Sequence, residues 1–223
     1  MVSKLISSIK CTFLVPQKLL VTTIGAKQPT KLMSNRPVVV GLGTIQQKGN
    51  YNELDEALFL MDKSFKKAII DCTNSNITEY IDEVRIPKGF WRYRDPGKWV
   101  ADNNNIKSVK TIVSKVGILQ QNLINTACNK IKNGEIKASL ILGGESRFKI
   151  LRSSIENKDY IETPLNTNPD IYEKSPEKLQ LDVEEKELGS MAVGYYAILE
   201  SAFRHMLENN HDDHHNYLCD VYS

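Results

Sequence analysis

Apolar residues follow two alternating patterns between residues 36 and 157. Strand-forming runs predict buried strands at PVVVGLG (37–43), EYIDEVRIPK (79–88), VKTIVSKV (109–116) and ASLILGG (138–144). Between them, apolar residues at helical spacing predict amphipathic helices over 53–71, from Asp95–Pro96 onward, over 119–131 and over 148–155. Strands that are apolar on both sides and alternate with helices predict an α/β fold, with a mainly parallel sheet and helices on both faces.

Polar segments divide the rest of the chain. Residues 158–182 are polar and contain Pro164, Pro169 and Pro176, which is typical of a linker or a surface excursion. Residues 183–209 carry a strong apolar stripe and predict an amphipathic helix that needs a partner surface. Residues 210–223 are predicted to be a polar tail. We therefore expect one α/β domain over 36–157, followed by a linker, a helix and a tail.

The first 35 residues differ in composition from the rest. Residues 1–36 contain six Lys or Arg and no acidic residue, so with a total charge of +2 the remaining chain carries −4. Three interpretations of this basic extension (1–35) stand: a mitochondrial transit peptide, a segment upstream of a true start at Met33, or a disordered tail. The acidic remainder argues against nucleic acid as a partner. No apolar run is long enough for a transmembrane helix, so no membrane partner is expected either.

The positions of cysteine and histidine limit the chemistry. The four cysteines are far apart and form no CxxC pair; they are Cys11, Cys72, Cys128 and Cys219. This pattern predicts no disulfide framework and favours a reducing location, the cytoplasm or alternatively the mitochondrial matrix. All histidines lie between residues 205 and 215, so imidazole catalysis is not expected in the first two hundred residues. The HDDHH run at 211–215 contains metal-ligand types, but an acidic solvated tail is the simpler interpretation and we predict no metal site.

The glycine-rich turns do not match phosphate-binding fingerprints. The glycines at 41 and 43 would need a third glycine at Gln46 to complete GxGxxG. GGES at 143–146 lacks the lysine and hydroxyl positions of a P-loop. Its plain interpretation is a strand that ends in a turn where no side chain fits. Glu145 would then bond to backbone amides in this turn or support a subunit interface, rather than act as a base.

Several short motifs occur in a fixed order along the chain. They are RPVVVGLGTIQ at 36–46, IDEVRI at 81–86, FWRYRDPGKWVAD at 90–102, LINTACNKIKNGE at 123–135, ASLILGG with Glu145, and YYAILESAFRHM at 195–206. In this order they resemble the thiolase superfamily, in the branch of acetyl-CoA acetyltransferases, over residues 36–209. The resemblance implies half of a thiolase-like fold, in which two similar α/β sheets sandwich central helices. It also implies chemistry on acyl groups carried by coenzyme A.

The same resemblance implies that the catalytic cysteine is missing. Thiolases place this cysteine at the start of the central helix, where the helix dipole and backbone amides favour the thiolate. The corresponding position here is Gly117. Cys128 lies about three turns further along the predicted helix, and Cys72 lies beside Asp71, so neither is expected to be a nucleophile. We identify no catalytic residue and no cofactor, and the carboxyl-terminal half of the thiolase fold has no counterpart.

Three residues are candidates for substrate binding. Gln121 matches a recurrent glutamine of the thiolase-like branch and would contact an acyl or pantetheine group. Arg92 and Arg94 alternate with Trp91 and Tyr93, a pattern that suits stacking of an adenine ring and binding of a phosphate. The plain alternatives are a residue that bonds to backbone at a helix start and a surface loop with arginine stems.

Three functions stand at this point. The first is a thiolase-like, acetyl-CoA acetyltransferase-type protein that acts on or binds acyl-CoA, with weak or absent turnover. The second is a non-catalytic module that binds an acyl-CoA or a protein. The third is an α/β domain of unrelated function. The expected partners are an acyl-CoA, together with a second copy of the chain or a polypeptide that supplies the missing half.

Overall fold

The computed structural model describes residues 9–16, 35–115, 117–175, 180–189 and 192–222. The chain divides into two compact units, residues 1–175 and 176–223. The described strands, all in the first unit, are β1 (Ile9–Pro16), β2 (Pro37–Ile45), β3 (Ile81–Pro87), β4 (Lys110–Ser114), β5 (Ala138–Gly143) and β6 (Ile171–Glu173). The α-helices of the first unit are α1 (Ala57–Cys72), α2 (Pro96–Asn103), α3 (Gln120–Asn133) and α4 (Arg147–Ile155). Those of the second unit are α5 (Asp182–Leu188), α6 (Ala192–Met206) and α7 (His211–Tyr222).

The strands form one sheet in the order β2-β1-β5-β3-β4-β6. Strands β5, β3, β4 and β6 are parallel to one another, and β1 is antiparallel to both of its neighbours. The chain passes from β3 to β4 through α2 and from β4 to β5, on the other side of β3, through α3, because parallel strands need a long crossover connection. The predicted α/β class with a mainly parallel sheet is therefore confirmed.

Several elements lie in segments that the sequence predicted to be irregular. Strand β1 belongs to the basic extension 1–35, and residues 1–8 and 17–34, including Met33, lie outside the described residues. Strand β6 lies within the predicted linker 158–182 and pairs with β4 at the sheet edge. The predicted helix 183–209 is two helices, and Gly189, with φ at +73°, ends the first of them. The predicted polar tail 210–223 contains helix α7.

Local polar residues account for two of the helix starts. Asp95 caps α2 by accepting a hydrogen bond from the Lys98 amide at 2.9 Å, and Pro96 follows where no amide hydrogen is needed. This is the helix start that the Asp-Pro pair predicted. Asn210 accepts from the Asp213 amide at 2.9 Å before α7. The acidic pair in the first turn of α7 then complements the helix dipole, so a polar sequence forms a helix there.

Helices cover both faces of the sheet, as predicted. Alternate residues of β5 point to opposite faces, because the side-chain period of a strand is two. Leu140 and Leu142 pack in the core formed with α1 and α2, whereas Ile141 packs against Ala127 and Ile131 of α3. On the first face, Gly43 of β2 lies so close to α1 that a Cβ would collide with the Ser64 backbone oxygen. The glycine in this strand therefore permits direct contact between the helix and sheet backbones.

A buried network of charged side chains lies on the α3 face. Arg85 of β3 is 2% exposed and Glu83 is 1% exposed, and the Arg85 Nε donates to the Glu83 Oε1 at 2.6 Å. Arg85 also donates to Glu173 of β6 at 2.8 Å, and Lys130 of α3 donates to Glu83 at 2.9 Å. Two acidic and two basic side chains thus neutralise each other and join β3, β6 and α3. We call Glu83, Arg85, Lys130 and Glu173 the ion network.

Hydroxyl groups complete the hydrogen bonding of the ion network. Ser139 of β5 donates to Glu83 at 3.1 Å, and Ser114 of β4 donates to Glu173 at 2.6 Å. Burial by itself raises the pKa of the Glu83 carboxyl, but the hydrogen bonds and charges of Arg85 and Lys130 outweigh it. The pKa of Glu83 therefore lies below its ordinary value of 4.5. The carboxylate is ionised and paired at neutral pH.

In the second unit, α6 presents many apolar side chains to solvent. Val193, Tyr196, Leu199 and Met206 are all more than half exposed. His214 of α7 is buried, and its ring stacks on Tyr217 with the centroids 6.0 Å apart. None of the helices in the described part of the chain has the length and apolar character that a transmembrane span requires.

Replacing Arg85 with Met tests the ion network. This change leaves the buried Glu83 carboxylate and the partly buried Glu173 carboxylate without their shared partner, so we expect the free energy of unfolding in urea to fall by about 3–5 kcal/mol at pH 7. Because the pKa of Glu83 is lowered in the folded chain, the wild type loses this stabilisation as the pH falls below 4.5, and the difference between the two proteins shrinks.

The matched control is Lys98→Met, which breaks the exposed pair between Lys98 and Asp102. Exposed pairs contribute little, so the control is expected to lose less than about 1 kcal/mol. An equal loss in both variants at pH 7 would show that the ion network adds no stability of its own.

Candidate functional site

The segments that follow β3, β4 and β5 meet at one edge of the sheet. These strands are parallel neighbours, so their carboxyl ends at Pro87, Ser114 and Gly143 lie side by side. Ligands of open α/β sheets bind outside this edge. The segment after β3, residues 88–94, contains the alternating aromatic and basic run, and we call it the β3 loop.

The glycine turn after β5 holds the β3 loop in place. The Glu145 Oε1 accepts a hydrogen bond from the Phe90 amide at 2.5 Å, and the Trp91 indole donates to the Gly144 carbonyl at 3.1 Å. The amide of Lys88 donates to the Ser114 carbonyl at 2.7 Å, which joins the loop to β4. Gly89 has no room for a side chain, because a Cβ there would overlap with the Glu145 carboxylate and the Trp91 indole. Glu145 thus bonds to a backbone amide, but to one in the β3 loop and not in its own glycine turn, where the sequence predicted its partner.

The aromatic residues of the loop face inward and the arginines face outward. Trp91 and Tyr93 are each 3% exposed and their rings are stacked 5.5 Å apart, whereas Arg92 and Arg94 are exposed. The Tyr93 hydroxyl donates to the buried carboxylate of Glu56 at 2.7 Å. The buried and exposed side chains therefore alternate along residues 91–94 of the loop.

Two adjoining clefts lie over the outward face of the β3 loop. The larger one, of about 630 Å³, is lined by the β3 loop, by Arg147 and Ile150 of α4, and by residues 160–165. The smaller one, of about 480 Å³, is lined by Lys88, Lys115 and Tyr172 together with Arg92, Tyr93 and Arg94. Arg92, Tyr93 and Arg94 line both clefts. We call the pair of clefts the basic cleft.

Positive charge dominates the lining of the basic cleft. Its five cations are Lys88, Arg92, Arg94, Lys115 and Arg147. Among the residues that the structure describes, none of the five forms an ion pair with a carboxylate. Instead, Arg147 lies 4.5 Å from the Phe90 ring centroid, Lys115 lies 5.5 Å from that of Tyr172, and Lys88 lies 3.9 Å from that of Trp91. These charges are therefore available to a bound anion.

The acidic residues around the cleft are already hydrogen-bonded. Glu162 accepts from the Arg92 amide at 2.8 Å, and Glu56 accepts from Tyr93 and from the Thr163 amide. Burial raises the pKa of Tyr160 to about 12, so this phenol stays neutral near pH 7 and adds no negative charge. Its hydroxyl lies 2.8 Å from that of Ser146. The carboxylates support the walls of the cleft and leave the cations exposed.

Lys88 differs from the other cations because it is partly buried. Its Nζ donates to the Trp91 carbonyl oxygen and lies over the Trp91 ring. Burial lowers the pKa of the Lys88 amine, although the negative charges of Glu162 and Glu145 act in the opposite direction. Its neutral form is therefore more populated than that of an ordinary surface lysine.

The structure brings two of the three predicted substrate-binding residues together. Arg92 and Arg94 line the basic cleft side by side, as described above. Gln121 lies on the exposed first turn of α3, where its side-chain amide donates to Asn125 at 2.9 Å, and it does not line either cleft. Gly117 precedes α3 in a turn with φ at +104°, a conformation that suits glycine.

Burial disfavours the thiolate form of two of the described cysteines, and a third cysteine lies beside a histidine of the HDDHH run. Burial raises the pKa of the Cys128 thiol and that of the Cys72 thiol, and the charge of Asp71 adds to the effect at Cys72. In α7, the Cys219 sulfur lies 3.7 Å from the His215 Nε2. Within the described residues, no group of three or more His, Cys, Asp or Glu side chains is arranged to hold a metal ion.

Sequence reasoning missed three of the five cations. Lys88 directly follows β3, Lys115 directly follows β4, and Arg147 lies shortly after β5. Each is the first basic residue after an observed parallel strand, whereas the predicted strands 79–88 and 109–116 included Lys88 and Lys115. That position was the available signal, because carboxyl ends of neighbouring parallel strands lie at the same sheet edge.

Replacing Gly89 with Ala tests how the β3 loop is held. The added methyl group forces the Trp91 indole or the Glu145 carboxylate to move, so we expect a loss of about 1–3 kcal/mol in the free energy of unfolding. The chain has two tryptophans, so a Trp99→Phe background makes Trp91 the only indole, and its fluorescence should shift to the red on exposure. Asn129→Ala on the exposed side of α3 is the control and should change neither quantity. Unchanged Trp91 emission in Gly89→Ala would contradict the close packing.

The ligand of the basic cleft is inferred from the side chains that line it. No protein-family model, curated protein or solved structure matches the chain. The lining consists of cations that follow the ends of three parallel strands, with buried aromatic rings beneath them.

Proposed function

We propose that the chain is a thiolase-like, acetyl-CoA acetyltransferase-type protein that binds an acyl-CoA in the basic cleft and does not cleave it as thiolases do. The observation that carries this proposal is the set of five cations at the carboxyl edge of the parallel sheet, none of which forms an ion pair within the described residues. A site that holds this much unpaired charge favours a polyanion over a neutral substrate.

The chemistry of coenzyme A matches both parts of the cleft. Its pyrophosphate and 3′-phosphate groups carry several negative charges, which suit guanidinium groups that bind phosphate oxygens in pairs. Its adenine ring is planar, and the Phe90 ring is 79% exposed beside Arg92 and Arg147. Ile150 and Ile161 of the larger cleft offer apolar contacts to an acyl chain. The volumes of the two clefts are in the range of small-molecule sites.

The positions of the thiols support binding without thiolysis. A thiolase needs a cysteine whose thiolate is favoured at a helix start, and that position falls on Gly117 by the resemblance. Cys72 and Cys128 have raised pKa values because they are partly buried. We propose a cytoplasmic location for this binding protein, with the mitochondrial matrix as the alternative.

The alternative function is protein binding through α6. The exposed apolar side chains of this helix, including Val193, Leu199 and Met206, are the observation that favours it. The occupant would be a second copy of the chain or a polypeptide that supplies the missing half of the thiolase-like fold. Light scattering after size exclusion distinguishes a dimer from a monomer, and Leu199→Glu should dissociate a dimer that uses this face.

Calorimetric titration tests the proposed ligand. We expect binding of coenzyme A that weakens with added salt, weaker binding of dephospho-coenzyme A, and no binding of pantetheine, because the affinity comes from the phosphates. The double variant Arg92→Gln/Arg94→Gln should lose about tenfold or more per arginine.

The matched control is Lys132→Gln/Lys137→Gln, which removes the same charge from exposed positions outside both clefts. Equal affinities of the two double variants would show that the basic cleft is not the site. Binding of pantetheine as tightly as coenzyme A would show that the phosphates do not determine affinity.

An assay of acetoacetyl-CoA cleavage tests the absence of thiolysis. We expect no turnover above the uncatalysed reaction, because burial raises the pKa of Cys72 and Cys128 and the position of the thiolase cysteine falls on Gly117 by the resemblance. Turnover that disappears in Cys128→Ser would identify that cysteine as a nucleophile and overturn this part of the proposal.

A further inference from the structure

We propose that the Lys88 amine is an acyl acceptor, which takes the acyl group from a thioester bound in the basic cleft. This inference rests on the proposed binding of acyl-CoA and adds a covalent step to it. The chain would then carry a self-acylation site at the end of β3.

The position of Lys88 is fixed by the groups around it. Its backbone amide is bonded to the Ser114 carbonyl, and its Nζ is bonded to the Trp91 carbonyl over the Trp91 ring. The side chain lines the smaller cleft together with Arg92, Arg94 and Lys115. A primary amine in its neutral form can keep one N–H bonded to the Trp91 oxygen and still present its lone pair to the cleft. The lysine is therefore held in place without losing its nucleophilic site.

The surroundings of Lys88 favour the neutral amine. Partial burial disfavours the ammonium form and lowers the pKa of the amine. Desolvation is one known means of activating a lysine nucleophile, and partial burial supplies it at Lys88, against the opposing negative charges of Glu162 and Glu145. The arginines that line the same cleft remain protonated and cannot attack a thioester. Lys115 is exposed, so solvent stabilises its ammonium form.

The proposed step balances without any further reactant. The Lys88 ammonium first gives one proton to solvent. The neutral nitrogen then attacks the thioester carbonyl, a nitrogen–carbon bond forms, and the carbon–sulfur bond breaks. Coenzyme A leaves as a thiolate that takes up a proton, and the second proton of the amine is lost as the amide forms. The products are an N-acyl lysine and free coenzyme A.

Acylation also changes the cleft that bound the donor. The amide is neutral, so the cleft is left with four cations instead of five. Its attraction for the phosphates of coenzyme A therefore falls, and the product is released more readily. The reaction limits itself to one acyl group per chain at this site.

Mass spectrometry of the full chain after incubation with acetyl-CoA tests this inference. We expect acetylation of Lys88 about tenfold faster than that of Lys98, whose pKa is raised by its hydrogen bond to Asp102. The rate at Lys88 should saturate with acetyl-CoA and fall when free coenzyme A is added, whereas the slow rate at Lys98 should do neither. Lys88→Arg should abolish the fast phase, and Lys98→Arg should leave it intact.

Two further measurements separate this inference from the proposed function. Titration with coenzyme A reports binding alone, and the small neutral ester N-acetoxysuccinimide reports the reactivity of Lys88 without any coenzyme. If coenzyme A binds but Lys88 is acetylated by acetyl-CoA no faster than Lys98, the self-acylation site is wrong and the binding function stands. If coenzyme A does not bind, both proposals fail, and a fast reaction with the ester would then show only a reactive lysine.

Discussion

A single carboxylate, that of Glu145, joins the ends of two neighbouring parallel strands. It accepts the Phe90 amide, and the adjacent Gly144 carbonyl accepts the Trp91 indole, so the glycine turn after β5 sets the path of the β3 loop. Gly89 is required where the two segments touch. Trp91 and Tyr93 are buried beneath the loop. Arg92 and Arg94, which alternate with them, are exposed. The charge of the cleft thus depends on one hydrogen-bonded turn.

Charged groups have different roles on the α3 face of the sheet and at its carboxyl edge. Beneath α3, the ion network pairs two acids with two bases and satisfies their remaining oxygens with serine hydroxyls. Such a closed network contributes to stability and has no charge left for a ligand. At the edge, the carboxylates bond to backbone amides and a phenol, and three of the five cations lie over aromatic rings. A cation over a ring keeps its positive charge and can still bind an anion.

Much of the fold could be predicted from the sequence, because its central strands and helices have strong periodic patterns. The Asp95–Pro96 pair predicted the start of α2. The GGE stretch predicted the turn after β5. Strand β1 was not predicted, because it lies in a segment whose basic composition indicated an extension and because one of its partners, β5, lies far away in the sequence; β6 has only three residues. Arg92 and Arg94 were identified by their alternation with aromatic residues. Lys88 and Lys115 were missed because only the strand order brings them together.

The position of β1 has a consequence for how the chain is made. This strand is synthesised well before β5, yet it pairs with β5 at residues 139–143, near the end of the first unit. Until those residues emerge from the ribosome, only the β2 side of β1 can be paired. The growing polypeptide therefore carries an open strand edge from the synthesis of β1 until that of β5, which slows completion of the sheet and makes chaperone protection during synthesis valuable.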